Sequence, residues 1–519
     1  MTMNSSGPIS LGGATTGQSI NLEVGAPATS TVSLNDVIVR QLAGVVSGQI
    51  VVPTDFYGKS LASGWFAQFT NSSPTGNYGS YLSAVEQSNS NLWVANILFP
   101  SGSSNFWTKI SGDDGSVISN FTYSFTGPNI FSANCNLSRV RESNYYPSRM
   151  LVSFSQQNGA PGAGFSSGTL IGYINKSDGS VVSTAPVRYF GITGSQTGGG
   201  SGVTSLVDAP NGNIFFSYSN PPGAGTNILL NSSFSFLQQS STIGNAANSV
   251  FRAANNLELY SGNTIDYVFG ETAPSPALLG RLMQGKYDMS TSSYSDVTLR
   301  GPMGVAIGSS LQGGLSPSAR YAGNTGGTGP ASPPITAPRN LWKLNRATGN
   351  IDVARTTPAT GRLSQFAGIS TNSNSSGDIY VVILNGGVLR LHKFDSSLNN
   401  TATWDVTGSA GVGISAGYFR GDYLYLQLVF TYSLPAKFWI LKIKSDFTTI
   451  ASGLTATVGG FTITLTSNNA QNITSYDAPF TSPATPKGTG GPTGFTNVPA
   501  MSISIAPNPV TYSGIKTTV

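Results

Sequence analysis

Residues able to do chemistry are scarce in this chain and do not cluster. It holds one histidine, His392, and one cysteine, Cys135. A lone cysteine forms no internal disulfide, and no Cys/His group has metal-ligand spacing. A Ser-His-Asp or Cys-His relay exists only if His392 itself serves. His392 stands in "GVLRLHKFDSS", an alternating strand pattern, and reads as structural. Cys135, in "FSANCNLSRV", reads as a small buried apolar group. Cleavage of a glycosidic bond needs two carboxyl groups in different environments. Glu86, Asp208, Glu271, Asp378 and Asp422 are the acidic candidates. Three of them, Asp208, Asp378 and Asp422, lie near turns, where Asp is ordinary turn chemistry. No spacing selects a pair, so no catalytic residue, metal ligand or cofactor is assigned. For ligand stacking, the aromatic loop "SNYYPSRM" (143 to 150) offers Tyr145 and Tyr146, and "NPPGAGTN" (220 to 227) is a second candidate loop.

Composition bounds what carries these residues. Of 519 residues, 9% are charged and 10% aromatic, which excludes a disordered chain. Runs of Ala, Glu, Lys and Leu are missing, so a helical protein is not expected. The 26 basic and 21 acidic side chains leave a net charge of +5 without a Lys/Arg run. A nucleic-acid partner is therefore not expected. The opening "MTMNSSGPISLGG" has no basic stretch before an apolar core, so no secretion signal is expected. No apolar run is long enough to cross a bilayer, so no membrane partner is expected either.

A loose repeat organises the rest. Seven segments pair an alternating strand with a polar turn and a second strand. They are "FWTKISGDDGSVIS", "LIGYINKSDGSVVS", "ILLNSSFSFLQQS", "LLGRLMQGKYDMST", "LWKLNRATGNIDVA", "LRLHKFDSSLNNTA" and "WILKIKSDFTTIAS". Their starts lie roughly 50 to 65 residues apart, the range of a propeller blade with long loops. The turns "DDG", "SDG" and "ATG" supply residues that tolerate positive φ. A small-residue strand and a strongly apolar strand precede the hairpin in several copies, as in "GISAGYFRGDYLYLQLVFTYS". The expected fold is all-β, a β-propeller of seven antiparallel blades over residues 63–475. A tandem of β-sandwiches or a β-helix is the rival, the latter needing a shorter, stricter period. Residues 308–340 read as a surface loop. Residues 476–519 read as loop-rich, with "MSISIAP" as a strand that closes the ring or anchors the chain.

Residues 1–62 stand outside the repeat. "SLNDVIVRQLAG" offers Ser33 or Asn35 as a helix N-cap, Asp36 in the first turn and Gly44 as a stop. A piece this short is expected to build little core alone and to dock on something larger. The blocks "ISLGG", "SLNDVIVRQLAGVVSGQI" and "DFYGKS" together resemble the N-terminal module of tail and minor virion proteins of tailed bacteriophages. In that module "SLND…VR.LAGV.SG.I", ending in "FYGKS", precedes unrelated C-terminal bodies. Leu34, Asn35, Val39, Arg40, Leu42, Phe56, Tyr57, Gly58 and Lys59 match it and are the expected attachment residues. "VVPTD" departs from the serine-rich spacer of the module.

The resemblance implies a structural virion protein, assembled in the host cytoplasm and carried on the particle surface in several symmetric copies. Other virion proteins are its expected partners. The propeller is then a spacer, a fibre head or a receptor-binding head for a host-surface glycan. Alternatives are a glycan depolymerase on the same scaffold, a cellular scaffold propeller, and a first segment that merely caps the ring.

Overall fold

The computed structural model of the chain describes residues 3–24, 26–43, 45, 48–57, 64–71, 77–86, 89–99, 105–126, 135–157, 165–180, 182, 188–193, 202–220, 224–241, 250–252, 257–272, 281–300, 311–315, 318–324, 340–348, 351–356, 361–367, 379–385, 388–408, 413–420, 423–429, 437–444, 454–467, 474–475, 495–498, 502–507 and 512–518. Two compact units emerge: Met1–Trp65 with Thr518–Val519, and Phe66–Thr517.

The larger unit is all-β, and its seven small antiparallel sheets form a seven-bladed β-propeller. Blade 3 displays the plan in consecutive strands, Gly202–Asp208, Ile214–Asn220, Ala224–Leu230 and Phe236–Ser241. Period-two alternation gives this sheet two apolar faces. Leu206, Ile214, Phe216, Ile228 and Leu230 pack against Leu151, Ile171 and Tyr173 of blade 2. Val207, Phe215 and Leu229 pack against Leu257, Ile265, Tyr267 and Tyr287 of blade 4. A sheet buried on both sides has few places for a charge. That is the physical source of the low charge content.

First strands lie at the axis. Those of blades 7 (Gly413–Arg420), 1 (Asn77–Val85), 2 (Cys135–Glu142) and 3 lie side by side, as do those of blades 5 (Leu311–Leu315), 6 (Gly361–Ala367) and 7. The turns after the third strands are built as their sequences predict. Asp178 Oδ1 accepts from Ser180 N at 2.9 Å, and Asp395 Oδ1 accepts from Ser397 N at 2.8 Å. Each is an Asx turn that fixes the hairpin.

Blade 7 departs from the local plan. After Gly413–Arg420, Tyr423–Val429 and Lys437–Lys444, its fourth position is filled by Gly64–Asn71. Chain from before blade 1 thus closes the ring, and Phe69 stacks on Phe438 at 4.9 Å between ring centroids. The expected return strand of the seventh hairpin lies outside the described residues.

The rest of the chain runs back around the ring. Leu454–Val458 and Phe461–Ser467 extend blade 6, and Thr474–Ser475 extends blade 5. Phe495–Val498, Ser502–Pro507 and Tyr512–Thr518 then add outer strands to blades 2, 1 and 7 in turn. The "MSISIAP" strand therefore pairs with the outer strand of blade 1, from Ser502↔Thr126 to Pro507↔Phe121.

The small unit has its own interior. Met3, Ile20, Val39, Leu42, Ala43, Ile50 and Phe56 are buried together, with Ile9, Val24, Val32, Leu34 and Val45 around them. The segment thus gathers more core than its length suggests. Helix α1 spans Ile20–Glu23 and helix α2 spans Val37–Ala43. Val39, Leu42 and Ala43 share the buried face of α2, as helical spacing requires.

Candidate functional site

The motif of the small unit is a set of mutual supports. Asp36 sits just before α2, where its carboxylate accepts from Ser33 N at 2.8 Å while Ser33 Oγ accepts from Asn35 N at 3.1 Å. This reciprocal arrangement resembles a capping box, but the helix begins only at Val37, so neither Ser33 nor Asn35 directly precedes it and Asp36 stands before its first turn rather than in it. Arg40 donates through Nη1 and Nη2 to Gly48 O, both at 3.1 Å, and through Nη2 to Asn35 Oδ1 at 2.8 Å. Gly48 has φ +94, a conformation that suits glycine, so Arg40 clamps a turn that only this residue type enters cheaply. Tyr57 donates to Gly7 O at 2.8 Å and ties the end of the unit to its start.

Val39, Leu42 and Phe56 are buried, Leu34, Arg40 and Tyr57 are half-buried, and Asn35 is exposed. Gly58 and Lys59 lie outside the described residues. The buried members shape the unit, whereas the large apolar side chains exposed among its described residues are Val51 (50% exposed), Leu11 (40%) and Val52 (37%). Reading by motif missed these three because exposure leaves no periodic trace.

The aromatic loop of blade 2 is held by its neighbour. Asp208, buried at the end of the first strand of blade 3, accepts from Ser143 Oγ, from Asn144 N at 2.8 Å and from Tyr173 Oη at 3.0 Å. Asn144 Nδ2 donates a further bond to Asp208 O at 2.8 Å. Burial, and then the Asp208 carboxylate, push the Tyr173 hydroxyl well above its ordinary range, so it remains a donor. On this rigid base Tyr145 and Tyr146 stand half-buried, 4.3 Å apart at 60°. The Arg149 guanidinium lies 3.8 Å over the Tyr146 ring. Tyr145 packs on Gly212, where an added Cβ would meet its ring at 3.1 Å. A partly exposed aromatic pair with an adjacent cation can stack on sugar faces and hydrogen-bond their hydroxyls.

The acidic candidates are differently employed. Glu86 is buried, accepting from Trp93 Nε1 at 2.6 Å with Lys109 Nζ at 3.0 Å. Asp208 is taken up by the aromatic loop. The Glu271 side chain, Asp378 and Asp422 lie outside the described residues, as do the Cys135 side chain and residues 221–223 of the second candidate loop. His392 is buried, with Asn400 Nδ2 and Thr403 Oγ1 each 3.1 Å from Nδ1. Burial pulls its pKa down to about 4, so it is neutral at neutral pH. Among the described residues no three His, Cys, Asp or Glu gather to hold a metal, and no helix is long and apolar enough to cross a membrane.

Two repeated devices escaped the motif reading. The third-strand lysines Lys109, Lys286 and Lys442 each reach a carbonyl in the corresponding turn of the next blade. Their acceptors are Lys176 O at 2.6 Å, Ala347 O at 2.8 Å and Gly112 O at 2.7 Å. Five first strands also shift register at one Ser or Thr, namely Ser83, Ser138, Thr204, Ser364 and Ser415. Each is a β-bulge that re-aims the following side chain. The recurring "LS", "VT" or "IS" pair was the legible signal.

No protein-family model and no curated protein matches this chain. Solved structures with a similar arrangement include an apocarotenoid oxygenase mutant of Synechocystis, at 10% identity over 60% of this chain and 69% of that one, with TM-score 0.36. An uncharacterized protein of Listeria monocytogenes EGD-e is 10% identical over 69% of this chain and 92% of that one, with TM-score 0.35. A quinohemoprotein alcohol dehydrogenase of Pseudomonas putida HK5 is 9% identical over 72% of this chain and 77% of that one, with TM-score 0.36. Likenesses this low carry nothing about the chemistry of this chain.

Proposed function

We propose that this chain is a structural component of a tailed-bacteriophage particle, attached through its first unit and displaying the propeller as a host-glycan-binding head. The observation that supports this most is the small unit itself. The phage-type motif residues Asn35, Val39, Arg40, Leu42, Phe56 and Tyr57 converge on one core and one clamped turn. A unit with its own interior suits reuse in front of unrelated bodies. Val51, Leu11 and Val52 supply apolar surface for a neighbouring virion protein.

On the propeller, Tyr145 and Tyr146 are the proposed sugar contacts. The depolymerase reading gains nothing from Glu86 or Asp208, since each is already committed to neighbouring groups. Incubating the full chain with host surface polysaccharide separates the two. Retention on the polysaccharide without new reducing ends is expected, with retention reduced in Tyr145→Ala/Tyr146→Ala. Steady release of reducing ends would replace the binding head with a hydrolase.

A further inference from the structure

The bulged first strands differ in the residue just past the bulge. Blades 1, 3, 6 and 7 place Ala84, Ser205, Gln365 and Ala416 there, all small or uncharged. Blade 2 places Arg139. Arg139 stands on the first strand of blade 2, which lies beside the first strands of blades 1 and 3, and it keeps solvent-exposed surface. Its pKa is lowered by burial, with the nearby Tyr418 hydroxyl acting the other way. A guanidinium keeps its proton in proteins, so the lowering reports lost solvation.

Tyr418 and Arg420 come from the first strand of blade 7. Tyr418 donates to Ser83 O at 2.8 Å, and Arg420 donates to Val85 O through Nε at 2.9 Å and Nη2 at 2.7 Å. Arg420 Nη1 is buried and has no hydrogen-bond partner among the described residues. Burial lowers the Arg420 pKa as well, outweighing the pull of Glu142 and Glu258. Those two carboxylates have closer partners, Glu142 with Lys176 at 2.6 Å and Glu258 with Arg141 at 2.5 Å. Blades 2 and 7 thus bring arginines to the end of the channel where their first strands finish, blade 4 adds only the Glu258 carboxylate already held by Arg141, and a buried donor of Arg420 lacks an acceptor among the described residues.

We propose that this end of the channel is an oxyanion site that takes the carboxylate of an acidic saccharide, held by Arg139 and Arg420 beside the Tyr418 ring. A planar guanidinium matches a carboxylate in two parallel hydrogen bonds, and the enclosed setting strengthens them. The inference rests on the glycan-binding reading and names the ligand class for it.

Isothermal titration of the full chain tests it, with an oligogalacturonate, a neutral oligosaccharide of equal length and inorganic sulfate. The acidic saccharide is expected to bind at least about tenfold more tightly than the neutral one, and to lose about tenfold in Arg139→Gln. Added salt should weaken it. Sulfate binding as tightly, and lost in the same variant, would keep the oxyanion site and overturn the saccharide. Equal binding of acidic and neutral saccharides, indifferent to Arg139→Gln, would overturn the site while leaving the glycan reading intact. Should that variant not fold, Arg139→Lys and an oligogalacturonate-dependent rise in the Tm of the unaltered chain decide between the same outcomes.

Discussion

The second strand of blade 4, Thr264–Thr272, meets its two neighbours with opposite chemistry. On one side Ile265 and Tyr267 enter the apolar seam with blade 3, beside Val207, Phe215 and Leu229. On the other, the intervening Asp266 faces blade 5 and is fully buried between two arginines. Its carboxylate meets Arg320 Nη2 at 2.8 Å, Arg346 Nε at 2.8 Å and Arg346 Nη2 at 2.9 Å. One strand therefore carries both ways of joining blades. The apolar seam is non-directional and tolerates exchange of similar volumes. The charged seam is directional, and is worth much only while every partner is present.

The largest effect is expected at the charged seam. Asp266→Ala leaves two buried guanidinium groups uncompensated and should cost about 3–5 kcal/mol in denaturant unfolding. A loss below about 1 kcal/mol would mean that water or relaxation replaces the carboxylate.

Acid should separate the seams next. Burial alone would raise the Asp266 pKa, but Arg320 and Arg346 more than offset it and hold the value below the ordinary carboxylate range. A depressed carboxylate contributes stability that is present above its unfolded pKa and lost as pH falls through the folded one. The apolar seam has no such term. His392 adds an earlier loss. Its pKa falls from 6.5 to about 4, so the unfolded chain takes up the proton first and stability declines between those pH values, by about 3 kcal/mol. Melts from pH 7 to pH 3 should show both losses. His392→Gln should remove the first and leave the one below pH 4; an unchanged profile would place the early loss elsewhere.

Smaller effects sharpen the contrast. Ile265→Val should cost about 0.5–1.5 kcal/mol, equally at pH 7 and pH 4. Lys286→Met, which removes the reach to Ala347 O from a partly exposed side chain, should cost less than about 1 kcal/mol. A cost above about 2 kcal/mol would give these lysine reaches a larger share in joining blades than surface-exposed contacts ordinarily have.

These seams also mark how far the sequence could be read. Hairpins such as Ala224–Leu230 with Phe236–Ser241 were legible because pattern, turn chemistry and partner lie within one short stretch. Asp266 was not. An acid between Ile265 and Tyr267 reads as a solvent-facing position, and its partners stand 54 and 80 residues further on. Ring closure by Gly64–Asn71 was hidden for the same reason, since nothing local names its partner strand. In the small unit, helical spacing exposed Val39 and Leu42, while the clamp from Arg40 to Gly48 needed the folded turn. Tyr145 and Tyr146 were legible as an aromatic loop. Their support by Asp208, across a blade boundary, was not.

Electron cryomicroscopy of the intact particle tests the proposed role most directly. Density for residues 1–62 should lie against another virion protein, with the propeller turned toward the medium. Particles lacking this chain, or holding it with that first unit touching no other protein, would contradict the account.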